Sequence, residues 1–148
     1  MRRRPPRLAT LAVVLLLALA ACGDTTESYC EDLEKQRKQI AEMIESGSPS
    51  ALLSNLPMLR DLAEKSPDDL ADEWQTFIGA LEGLDEAIED AGVLPSDFKD
   101  GQPPAGLSEA DKKAIADAAG QIRTEDVVAA ASGIEQQARD VCKVNLGL

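Results

Sequence analysis

The stretch SPDDLADEWQTFIGALEGLDEAIEDAG, residues 66–92, decides the fold. Its apolar residues Leu70, Trp74, Phe77, Ile78, Leu81, Leu84 and Ile88 recur at spacings of three and four, the stripe of a helix and not the alternation of a strand. Ser66 and Pro67 read as a start signal, because proline at the first helical position lacks a donor that would be unpaired there anyway. Asp68 and Asp69 then fall where the positive end of the helix dipole favours acids, and Gly92 closes the segment. The spacing predicts a helix over 67–91 with Trp74 and Phe77 as core anchors.

Toward the N-terminus, Ser48 and Pro49 give the same start signal, and Leu52, Leu53, Leu56, Leu59, Leu62 and Ala63 repeat at three and four. Pro57 removes a backbone donor inside this segment and so kinks or splits it. Before it, Ser28 and Glu31 have the spacing of a capping box, and Cys30, Leu33, Ile40, Met43 and Ile44 share a stripe that ends before Gly47. A first helix is expected over 29–46.

Toward the C-terminus, residues 93–107 hold three prolines and two glycines without periodicity, a long loop in which function can concentrate. The segment DFKDGQ, 97–102, fails as a calcium loop: counted back from Gly101, the ligand positions fall on Ser96, Phe98 and Asp100. Ser108 with Asp111 caps a further helix carrying Ala110, Ala114, Ile115, Ala118 and Ile122. Thr124 starts the last, with Val127, Ala131, Ile134, Ala138 and Val141 on one face and Cys142 in its final turn. No segment alternates strictly, so the class is all-α: a single bundle of about five helices over residues 28–148.

The chain contains no histidine, which excludes Ser-His-Asp and Cys-His catalysis and His-ligated zinc. Asp68, Asp69, Asp72 and Glu73 are the densest carboxylates, but capping and dipole effects already account for them. No catalytic, cofactor or metal residues are expected. With 27 acids against 15 bases the chain carries a net charge of −12, which argues against nucleic acid as a partner.

Residues 1–21 have a different character. Arg2, Arg3, Arg4 and Arg7 precede an uncharged run from Leu8 to Ala21, too short for a membrane span of roughly 20 apolar residues and built like an export signal. Its end, Leu19-Ala20-Ala21-Cys22-Gly23, resembles the lipobox of bacterial lipoproteins; Ala-x-Ala-like cleavage by an ordinary signal peptidase is the competing reading. The resemblance implies removal of residues 1–21, a diacylglycerol on Cys22, and a short tether over 22–27. Two or more acyl chains anchor stably, at about 0.8 kcal/mol per buried methylene.

With the Cys22 thiol so occupied, Cys30 and Cys142 remain. In an exported domain such a pair is most simply a disulfide joining the first and last helices, with free buried thiols as the alternative. Closing nearly the whole mature chain contributes about 5 kcal/mol in the chain-entropy model. The first and last helices would then be antiparallel neighbours.

The lipobox, the Tyr29-Cys30 opening, the segment LRDLAEKSPDDLADEW (59–74) and the late cysteine together resemble the small helical lipoproteins of high-GC Gram-positive bacteria. That resemblance implies export and anchoring to the outer face of the plasma membrane, and no particular activity. The expected role is a non-enzymatic binding or accessory module of the cell envelope, with an envelope protein or small ligand as partner. Its working surface would be the 93–107 loop with Phe98 and Lys99, or the acidic helix faces. The alternative is a carrier or sensor of a small apolar ligand held between helices beneath Pro57.

Overall fold

The computed structural model describes residues 21–99 and 101–146, and only the backbone of residues 21–24. Residues 1–20 and the Cys22 thiol, on which the export and lipidation expectations rest, lie outside the described residues. Among the described residues six α-helices follow in order: α1 (Ala21–Ser46), α2 (Pro49–Ser54), α3 (Leu56–Glu64), α4 (Ala71–Asp90), α5 (Glu109–Gln121) and α6 (Glu125–Asp140). Among the described residues there is no strand, only an isolated bridge between Lys99 and Gln102.

The sixth helix comes from Pro57. Asn55 sits between α2 and α3 with φ −100° and ψ 2°, and Pro57 lies in the first turn of α3. The proline therefore splits the leucine-rich segment, because its ring and missing donor are tolerated only at a helix start. Gln39 of α1 donates to Asn55 Oδ1, and Asn55 Nδ2 donates to the Ala51 carbonyl at 2.7 Å, so the break is tied on both sides.

Two predicted helix starts move. The chain is already helical at Ala21, well before Tyr29, so Ser28 lies inside α1 and the capping box with Glu31 is not formed. No proline separates Cys22 from Ser28, so nothing in the backbone stops the helix there. After Pro67, whose ψ of 151° is extended, Asp68–Leu70 forms a 3-10 turn before α4 begins at Ala71. Leu70 is the hinge between the two, with φ −111° and ψ 1°, and its side chain is buried. At the other end α4 closes in a Schellman motif: the Gly92 N–H donates to the Glu89 carbonyl at 2.8 Å and the Val93 N–H to the Ile88 carbonyl at 3.3 Å. Gly92 takes a φ of +70°, which a side chain would resist.

α4 is the centre of the bundle, packing chiefly on α6 and α5 and also on α3. Leu81 and Leu84 are the most deeply buried of its predicted stripe, joined by Leu70, Trp74, Ile78 and Ile88. Gly133 of α6 lets the helices approach: a Cβ there would lie 3.1 Å from Glu73 Cγ. α1 packs mainly on α2 and α3.

Cys30 and Cys142 form the disulfide, with Cα atoms 5.0 Å apart. Cys142 lies just past the end of α6, and Cys30 well inside α1. The first and last helices meet through this bridge and around a shared apolar lining, while the main packing of α6 is on α4. A C-terminal tail intervenes: Lys143 turns the chain with φ 60°, the Val144 N–H donates to the Ala138 carbonyl at 2.9 Å, and Val144 and Leu146 are buried. Leu146 shares an apolar lining with Leu33 and Ile40 of α1 and with Ala131 and Ile134 of α6. The tail thus packs where α1 and α6 come together.

Candidate functional site

The 93–107 loop is built, not slack. Leu94 enters with ψ 151°, its N–H donates to Asp97 Oδ2 at 2.9 Å, and Pro95–Asp97 forms a 3-10 turn. Lys99 and Gln102 then exchange backbone hydrogen bonds of 3.1 and 2.8 Å around Gly101, whose φ of +73° suits a glycine. The Ser50 hydroxyl of α2 donates to the Pro95 carbonyl at 2.6 Å and pins the loop to the bundle.

Under this loop lies a cavity of about 320 Å3. Phe98 and Pro103 line it from the loop, Leu84 and Ile88 from α4, Ile115 and Ala119 from α5, and Pro49 from the start of α2. Its volume falls in the range of roughly 300–1,000 Å3 common to small-molecule sites. Two basic side chains also line it. Lys112, half-buried, is engaged by Glu109 at 2.7 Å. Arg123, just past α5, is exposed at the rim.

The cavity is therefore not beneath Pro57, whose exposed ring caps α3 elsewhere. Once α3 starts afresh at Leu56, Leu56, Leu59 and Leu62 all turn into the core. The space appears instead where a proline-rich connection spans α4 and α5.

The acidic residues do not meet in a cleft. Asp68 and Asp69 are exposed on the 3-10 turn, while Asp72 and Glu73, in the first turn of α4, border a shallow groove with Asp126. Among the described residues no group of three or more His, Cys, Asp and Glu side chains is placed to hold a metal ion.

Two polar arrangements escaped the sequence reading. In the core, Trp74 Nε1 donates to the Tyr29 hydroxyl at 3.0 Å, with the two rings edge to face at 6.4 Å. Burial, only partly offset by that hydrogen bond, pushes the Tyr29 phenol up to about 12, so it stays neutral through the physiological range. Tyr29 lies four residues before Leu33, on the same stripe, and that spacing was the available signal.

On the surface, Asp32 of α1 accepts from Lys65 and from Lys35, each at 2.9 Å, and these ammonium groups hold its carboxyl below the ordinary value. Lys65 in turn lies between Asp61 at 2.7 Å and Asp32, which together raise its pKa. This clamp joins α1 to the end of α3, a link between distant residues that no local pattern announces.

No described helix is long and apolar enough to cross a membrane. No protein-family model, curated protein or solved structure matches the chain.

Proposed function

We propose that this chain is a lipid-anchored, extracytoplasmic binding module that performs no chemical step, and that its binding site is the cavity under the 93–107 loop. The observation that carries the reading is the loop itself: it is pinned through Ser50 to the bundle above an apolar space of about 320 Å3. A connection that only joined α4 to α5 would collapse onto its apolar neighbours, since packed interiors leave few voids larger than a water molecule. The anchor part of the reading rests on the arginine block, the apolar run and the lipobox-like end at Cys22. The expected partner is then a small, largely apolar molecule met at the envelope surface, with the membrane held through Cys22.

Native mass spectrometry of the domain purified after export tests the binding part. The expected spectrum carries a stoichiometric non-covalent adduct, lost when Ala119→Trp fills the cavity. A protein without adduct, which also fails to take up small apolar compounds on titration, would remove the cavity from consideration.

A further inference from the structure

The lining of this cavity also bears on what kind of molecule it takes. The described chain pairs its cations thoroughly. Lys35, Arg37, Lys38, Arg60, Lys65, Lys112, Lys113 and Arg139 each lie against a carboxylate, and Lys143 donates to a backbone carbonyl. Such pairing is expected where acids outnumber bases 27 to 15. Among the described residues, only Lys99 and Arg123 have side chains with no such partner. Arg123 lines the cavity, and Lys99 is exposed next to Phe98, which lines it too. Among the described residues, the unmatched positive charge of an acidic domain thus lies at this apolar space or next to a residue that lines it.

Resting on the proposed function, we infer that the ligand is a single-chain amphiphile: an apolar tail within the cavity and an oxyanion headgroup on Arg123 at its rim. The tail would contact Leu84, Ile88, Phe98 and Ile115, all lining residues. The planar guanidinium offers a fork of donors matched to a carboxylate or a phosphate. Lys112 is less free to serve, because Glu109 already holds it at 2.7 Å. A headgroup at the rim keeps its outer face in water, so no charge is buried unpaired.

The test is calorimetric titration of the folded domain with decanoate, decyl phosphate and the uncharged decanol. Decanoate or decyl phosphate is expected to bind one to one, at least tenfold more tightly than decanol, the tighter of the two naming the headgroup. Arg123→Gln, an exposed substitution that leaves the core untouched, is expected to weaken the charged ligand about tenfold and leave decanol unchanged; each factor of ten corresponds to about 1.4 kcal/mol. Ala119→Trp should abolish binding of all three. Decanol binding as tightly as the anions, or an anion affinity indifferent to Arg123→Gln, would overturn the inference while leaving the cavity as a binding site. No binding by any of the three, together with a purified domain free of adduct, would overturn the inference and the proposed function alike.

Discussion

Replacing Cys30 and Cys142 together by alanine is expected to lower the free energy of unfolding by about 5 kcal/mol. The bridge spans 112 residues, so losing it releases nearly the whole described chain to a larger unfolded ensemble. The folded state loses local order as well. α1 packs mainly on the short α2 and on α3, and its further ties include the bridge, the Tyr29 contact with Trp74, the Asp32 clamp and the Gln39 contact with Asn55. Cys142 also anchors the turn that sends Val144 and Leu146 into the core. Since domains of this size are stable by only about 5–15 kcal/mol, the double variant approaches the threshold of folding. Urea unfolding followed by circular dichroism measures the loss, and reduction of the unmodified protein provides a mutation-free comparison. A change below about 1 kcal/mol in both would mean that packing alone holds α1 and the tail.

The second large effect is at Trp74, where substitution by alanine is expected to cost about 4 kcal/mol. Trp74 is 3% exposed and meets Tyr29 and Phe77 edge-on at 6.4 and 6.3 Å. It also borders the apolar junction where Leu33 and Ile40 of α1 face Ile134 of α6 and Leu146 of the tail. Truncation there opens a cavity at the meeting point of three parts of the chain and strips the Tyr29 hydroxyl of its donor. Tyr29→Phe separates the two contributions. It keeps the ring and removes only the oxygen that accepts from Trp74 Nε1, for an expected cost of about 1–3 kcal/mol. Trp74→Ala must therefore be the more damaging of the two. The reverse order would show that the polar contact outweighs the packing.

How much of this was legible in the sequence differs from segment to segment. The α4 stripe was, because seven apolar residues at helical spacing leave no competing period. The disulfide was also legible, from two cysteines left over beside a lipobox-like third. The start of α1 was not: Ser28 with Glu31 has the spacing of a capping box, but such a cap forms only where a helix begins, and the described chain is already helical from Ala21. The tail was missed because Val144 and Leu146 are too few to show a period; their burial depends on the turn at Lys143 and the bridge at Cys142. The loop was recognised by composition, but its cavity was not. That space lies between α2, α4, α5 and a loop tied back by the Ser50 contact with Pro95, a meeting of residues far apart in the chain. Arg123 has no local signature either, since what distinguishes it is that it forms no ion pair among the described residues although Glu125 and Asp126 follow it in the chain.

The central claim is that this helical domain works from a lipid anchor at Cys22, and fractionation of cells making the full chain or its Cys22→Ala variant tests it most directly. The full chain is expected to sediment with the membrane, while the variant appears, folded and disulfide-bonded, in the medium. Retention of the variant on the membrane, or release of both forms, would contradict the claim.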